Sequence, residues 1–216
     1  MTPATLRAIL EARDQRRPIA VVTNLKTGVQ RIAEFGPEFE QGFRFDKSRL
    51  HGDEFIAIHN PTLRLIIIGA VHIAQSLIPM AQAAGYDVTV IDPRGAFATG
   101  ARFPNVNLIE AWPQDVLASF GLDSRTAFVA LTHDPKIDDP ALEMALGSQV
   151  FYIGALGSQK TQNARRERLM SAGFSVADMG RINGPIGLNI GAVGAAEIAI
   201  SVMAQMIQCL RLSNKT

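Results

Sequence analysis

The chain has 216 residues, 47% hydrophobic and 19% charged, with 21 Lys and Arg against 20 Asp and Glu for a formal net charge of +1. That length holds one good core and a small appendage, and the composition is that of a globular protein, not a disordered or collagen-like one. Near-neutral charge leaves no long-range field to draw the molecule to nucleic acid or anionic lipid, and a single cysteine, Cys209, excludes an intrachain disulfide and a CxxC metal clip.

The N-terminal run MTPATLRAILEARDQRR mixes acidic and basic residues and has no apolar signal segment. The longest apolar run is too short to cross a bilayer, so a cytoplasmic location is the expectation. Residues 1–60 read as a small α/β appendage: a short amphipathic helix, then two β-rich runs in PIAVVTNLKTGVQRIAEF joined through Lys26-Thr27-Gly28 as a hairpin, and a further strand, EFIAIH. Asn60-Pro61 reads as the turn or linker that closes it.

Residues 61–216 read as a Rossmann-like domain. Short apolar strands, RLIIIGA, DVTVID, VNLIE, TAFVALT and QVFYIGA, alternate with helical segments near 72–84, 113–119, 138–147 and 158–171, and a last helix spans about 192–211. Apolar strands alternating with helices specify a doubly wound α/β fold with a parallel sheet covered on both faces. Pro79 inside the first of these helices predicts a kink there. Cys209, in the apolar pattern ISVMAQMIQCLRL, reads as a buried, inert thiol.

The first strand runs into the positions of a G-x-G-x-x-G/A fingerprint, occupied here by Gly69, Val71 and Ala74. In that fingerprint the first glycine makes the turn, the second admits the pyrophosphate, and the last lets helix pack on strand. Val71 breaks the second position, where its side chain would intrude on an approaching phosphate. Asp92 closes the next strand at the place where an acidic residue bonds a ribose hydroxyl.

In the usual order of such sheets the first and fourth strands flank the ligand crevice. His72 follows the first, and Thr132-His133-Asp134 ends the fourth, so two histidines should face one cleft. Either histidine alone reads equally well as a hydrogen-bonding cap; their convergence favours a ligand role. After the fifth strand, Gly154, Gly157 and Ser158 would present donors at a helix N-terminus, an anion site or simply a capped turn before a solvated basic helix. Gly187 and Asn189, in PIGLNIGAVGAAEIA, belong to a third glycine-bearing loop on the same rim, which suits a flat, phosphate-rich ligand. The Tyr/Lys pair of short-chain dehydrogenases, a P-loop and a GxSxG elbow do not occur.

The stretches LIIIGAVHIA, VTVIDPRGAFA, ALTHDPKIDDPALEMAL, FYIGALGSQKTQNARRERL and RINGPIGLNIGAVGAAEIA, in that order, resemble the xanthine dehydrogenase accessory proteins of the XdhC/CoxI type over roughly residues 55–207. The resemblance implies a non-catalytic or nearly non-catalytic protein. Its role would be to bind molybdenum cofactor, as molybdopterin or its dinucleotide form, shield it, and hand it to an apo-molybdenum hydroxylase of the xanthine or CO dehydrogenase type. It also implies a cysteine desulfurase and a second copy of the chain as partners, and no nucleic acid or membrane. Members of the family carry an N-terminal glycine and cysteine motif, whereas the first 60 residues here contain no cysteine. The expectation is a member shortened at its N-terminus. Val71 stands where the family has glycine, and Asn189 where it has aspartate in PIGLDIG. The competing readings are an NAD(P)-dependent oxidoreductase that uses Asp92 for the ribose, and a nucleotide-sensing regulatory module.

Overall fold

A computed structural model describes residues 1–212; residues 213–216, the end of the second region expected from sequence, lie outside the described residues. The chain divides into two compact units, Met1–Pro61 and Thr62–Thr216.

In the first unit, α1 (Pro3–Asp14) starts where the Thr2 side chain accepts the Thr5 N–H. It is followed by β1 (Ile19–Asn24), β2 (Gln30–Ala33), α2 (Glu40–Phe45), β3 (Arg49–His51) and β4 (Glu54–His59). The four strands form an antiparallel sheet in the order β2-β1-β4-β3. The β1–β2 hairpin turns where expected, with Asn24 Oδ1 accepting the N–H groups of Lys26 and Thr27 and Gly28 taking φ +72°. Ala20, Val22 and Ile56 pack with Phe39 and Phe43 in its small core. Neither α2 nor β3 is expected from the sequence; the latter is short and wholly exposed, so it carries no alternation.

The second unit contains β5 (Leu63–Ile68), α3 (His72–Ala83), β6 (Tyr86–Ile91), β7 (Asn107–Ile109), α4 (Pro113–Val116), β8 (Thr126–Ala130), α5 (Pro135–Leu146), β9 (Tyr152–Ala155), α6 (Gln159–Ser171), α7 (Val176–Met179), β10 (Ile182–Asn183) and α8 (Ala195–Arg211). All six strands are parallel, in the order β10-β9-β8-β5-β6-β7. This is the doubly wound Rossmann arrangement, with its order reversing between β5 and β8.

The strand sequences alternate between two covered faces. Leu65, Ile67, Val88, Val90, Ala127 and Val129 pack on one side with Ala74 and Leu77 of α3 and Val202 and Met206 of α8. Ile66, Ile68, Ile91, Phe128, Ala130 and Ile153 pack on the other with Ile137, Ala141 and Leu142 of α5 and Leu169 of α6. Burial on both faces is why these strands read as unbroken apolar runs.

Two details differ from expectation. Helix α5 starts at Pro135 rather than near 138, because Asp134 caps it and Pro135 is preset for the first helical position. Helix α3 keeps its expected place, His72–Ala83, with Pro79 inside it. Cys209 is exposed on α8, not buried, although partial burial pushes its thiol upward, away from thiolate character. Among the described residues, no helix is long and apolar enough to cross a membrane.

Candidate functional site

The crevice begins at Gly69, whose N–H donates to Ile91 O at 2.9 Å. Its φ is +111°, and a Cβ there would lie 2.7 Å from Thr132 Cγ2. Only glycine meets both demands, so the turns after β5 and β8 touch through this residue. The next residue is held from both sides. Ala70 N–H donates to Asp92 Oδ2 at 2.7 Å, and Ala70 O accepts from Arg102 Nη1 at 3.1 Å.

Asp92 is fully buried. It accepts from the Arg94 N–H at 3.0 Å, from Arg94 Nε at 2.8 Å and from Arg94 Nη2 at 2.7 Å. The ribose role expected for it does not fit this geometry, because both oxygens are spent on Ala70 and Arg94. Burial acts to raise its carboxyl, but the Arg94 and backbone hydrogen bonds outweigh that and hold it below the ordinary value.

Val71 occupies the N-cap of α3 with φ −100° and ψ 173°, a conformation any residue adopts. It is half-buried and packs against the core beside α3. The obstruction expected of it is therefore reduced, since part of the side chain is turned to the core. His72 is exposed at the first position of α3. That helix has no side-chain cap and no acidic residue in its first turn, whereas α5 is capped by Asp134 and α6 by Ser158. An uncapped helix start at the strand-order reversal presents N–H donors and a positive dipole end to an anion.

Across the crevice, His133 is exposed with φ +64°, a left-handed conformation unusual for a residue with a side chain. Asp138 fixes it. This carboxylate, fully buried, accepts the Thr132 hydroxyl at 2.7 Å, the Thr132 N–H at 3.3 Å and the His133 N–H at 3.1 Å. Arg165, 3% exposed, reaches Asp138 at 3.5 Å and Leu156 O at 3.2 Å. Gln162 links Arg165 to Ala155 O. Burial pushes the Asp138 carboxyl upward against the Thr132 hydrogen bond and the Arg165 charge, and lowers the Arg165 guanidinium.

Sequence reasoning missed Asp138, Gln162 and Arg165, because nothing in their spacing marks them as meeting. The residues expected at the site resolve unevenly. Gly69, Val71 and His72 stand at the end of β5, and Thr132, His133 and Asp134 at the end of β8. Gly157, with φ +140°, and Ser158 form the turn into α6. Gly154 does not present a donor at that turn. It lies inside β9, paired on both sides, where a Cβ would meet Ile186 and the Tyr152 hydroxyl. Gly187 is likewise a packing glycine, since a Cβ would run into Ser201 of α8 and its N–H donates to Gln205 Oε1 at 2.8 Å. Asn189 is exposed and lines a cavity of about 540 Å³ with Leu156, Gln159, Ile186, Ile190 and Ile198.

The fold and this crevice define a doubly wound domain with a dinucleotide-type cleft. A family model described as the XdhC Rossmann domain matches residues 65–206, and the chain belongs to that family. It is 36% identical over 155 residues to a probable xanthine dehydrogenase subunit of Bacillus subtilis strain 168, covering 71% of this chain and 45% of that protein. It is 29% identical over 213 residues to the molybdenum cofactor insertion chaperone PaoD of Escherichia coli K12, covering 93% of this chain and 54% of that protein. The chain thus spans about half the length of these curated relatives. A crystal structure described as a xanthine dehydrogenase from Bacillus halodurans superposes with a TM-score of 0.71 at 26% identity, covering 98% of this chain and 65% of that one.

Proposed function

We propose that the chain binds molybdenum cofactor and passes it to an apo-molybdenum hydroxylase of the xanthine or CO dehydrogenase type. The observation that carries this reading is the uncapped start of α3 at the reversal of strand order, a place built for a phosphate. The residues fit the group around it. The N–H groups that open α3 would hold the cofactor's phosphate, while His72 and His133 stand at the ends of the two flanking strands as donors. The cavity of about 540 Å³, with its apolar lining from Leu156, Ile186 and Ile198, would take the flat pterin. The group's chemistry, oxygen-atom and electron transfer at molybdenum, belongs to the recipient enzyme. This chain's part is to hold the phosphate, cover the pterin and release both. The relative described as a cofactor insertion chaperone, matched over 93% of this chain, supports the same reading.

The test is cofactor retention. The purified chain is mixed anaerobically with molybdenum cofactor released from a donor protein, passed through a gel-filtration column, and assayed for molybdenum and for oxidised pterin fluorescence. Co-elution of both, followed by activation of an apo-hydroxylase, is the expected result. Elution of the chain without either defeats the reading. A cysteine desulfurase and a second copy of the chain, added to the same column, extend the test to those partners.

A further inference from the structure

Helices α3 and α8 pack on one face of the parallel sheet, and α5 and α6 cover the other. The two layers differ in charge. The outer surface of α5 and α6 carries exposed Lys136, Lys160, Arg166, Glu167 and Arg168, as a solvated helix face does. The 12 residues of α3 contain no Asp, Glu, Lys or Arg, and the 17 of α8 contain only Glu197 and Arg211. The face that α8 turns outward is apolar between those two charges. Ile200 is 49% exposed and Ile207 45%, with Val193, 86% exposed, just ahead of the N-cap. These three recur every seven residues, and so do Glu197, Ala204 and Arg211, each four positions further on. Two such rows form one seam along a helix, the pattern of a helix that meets another helix.

We propose that the outer face of α8 is a contact between two copies of this chain, paired antiparallel about a two-fold axis at Ala204. A two-fold contact needs one patch that complements itself, and the seam does so in this register. Glu197 and Arg211 each stand seven residues from Ala204, about 10 Å along the helix. The axis therefore sets Glu197 of either copy opposite Arg211 of the other. Ile200 falls beside Ile207 of the second copy, and the small Ala204 at the axis lets the two backbones approach. A parallel pair would instead set Glu197 against Glu197 and Arg211 against Arg211. Opposite charges at the two ends of one apolar seam favour a second copy over a partner of unrelated surface. Glu197 is held in place for this contact, its Oε2 accepting the Val193 N–H at 2.8 Å and the Gly194 N–H at 3.4 Å. Arg211 of the second copy then stands at the start of α8, next in sequence to the loop that lines the cavity of about 540 Å³. The inference needs no bound cofactor and is tested apart from the preceding reading.

Sedimentation equilibrium of the whole chain, run without cofactor, should show monomer and dimer exchanging with a dissociation constant on the order of 10 µM, since a contact of about four helical turns lies at the small end of specific interfaces. Ile200→Glu and Ile207→Glu, at exposed positions that leave the fold intact by circular dichroism, should each weaken the dimer at least about tenfold by burying a charge. Glu197→Arg should weaken it about tenfold, and adding Arg211→Glu should restore most of the loss. In a chain that also carries Cys209→Ser, Ala204→Cys should join two copies by a disulfide on mild oxidation. Arg211→Cys should not, because its counterpart lies about 21 Å away in an antiparallel pair. A chain that stays monomeric to about 200 µM, or a dimer that neither glutamate variant loosens, overturns the inference. Cross-linking by Arg211→Cys in place of Ala204→Cys also overturns it, as does a charge exchange that restores nothing. A monomer in which amide exchange along α8 slows only when an apo-molybdenum hydroxylase is added gives the face to that enzyme and overturns it too.

Discussion

Asp138 accepts the N–H of His133 at 3.1 Å through one oxygen while the other takes the Thr132 hydroxyl at 2.7 Å. A single buried carboxylate thus ends β8 and sets the left-handed turn that exposes the His133 ring. Its partner Arg165 carries a buried Nε that finds no hydrogen-bond acceptor among the described residues, with Asp139 4.0 Å away. The network is thus complete at the carboxylate and incomplete at the guanidinium.

Replacing Asp138 by Asn leaves the buried Arg165 guanidinium with only Asp139, 4.0 Å from its Nε, as counter-ion. Breaking a buried pair in this way costs about 3 kcal/mol or more. Urea denaturation of Asp138→Asn should show a loss of that order, and adding Arg165→Met should recover part of it by removing the stranded charge. A loss below about 1 kcal/mol would mean the pair is not holding the two turns.

At His133 stability and binding should part company. Its φ of +64° is one that glycine adopts freely. His133→Gly relieves that strain but adds freedom to the unfolded chain, so the net change in stability should stay within about 1 kcal/mol. Cofactor retention on a column should nevertheless fall severalfold, because the ring itself is lost. Full retention by this variant would remove His133 from the site.

The acid limb of stability should carry the signature of Asp92. Its carboxyl is held below the ordinary value of 3.8, the Arg94 and Ala70 hydrogen bonds outweighing burial. A lowered carboxyl contributes stability that is fully present above the unfolded value and is lost as pH falls through the folded one. Asp92→Asn should therefore be less stable than the unmodified chain by about 1–3 kcal/mol near neutrality, and the difference should shrink below about pH 4. Thermal melts across that range check it; a constant difference would assign the loss to packing alone. Asp138 acts in the opposite sense, since its raised carboxyl contributes stability at low pH that is lost as pH rises through the folded value.

Val71→Gly should not create a strong NAD site. The backbone at position 71 needs no glycine, and part of the side chain packs on the core. The variant should lose about 1 kcal/mol of stability, from buried apolar area and helix-start freedom, and calorimetry should show NAD affinity changed by less than tenfold. An increase beyond about a hundredfold would show that the methyl groups alone had kept the pyrophosphate out.

The strands β5, β6, β8 and β9 are legible in the sequence because burial on both sheet faces makes them continuous apolar runs, and the strand order follows from their alternation with helices. Strands β10 and β3 are not, being too short to show a period. At the site, Gly69 and Ser158 are readable from local chemistry, a turn and a cap. Asp92 is placed at the right strand end but given the wrong partner, because sequence spacing does not reveal that Arg94, two residues on, folds back over it. Asp138 and Arg165 lie 27 positions apart, and only the adjacency of β8 and β9 makes them meet. Gly154 and Gly187 look like loop donors because a glycine that admits a neighbouring side chain is indistinguishable, in one sequence, from one that admits a ligand.

The two-sided hold on Ala70 has a kinetic meaning. With its N–H on Asp92 and its carbonyl on Arg102, this residue has little to order when a ligand arrives, so encounter here should be governed by diffusion and charge rather than by waiting for a rare shape. Its amide proton should exchange with solvent only through openings large enough to break the Asp92 tie, making Ala70 a resident reporter of how often the floor of the cleft comes apart.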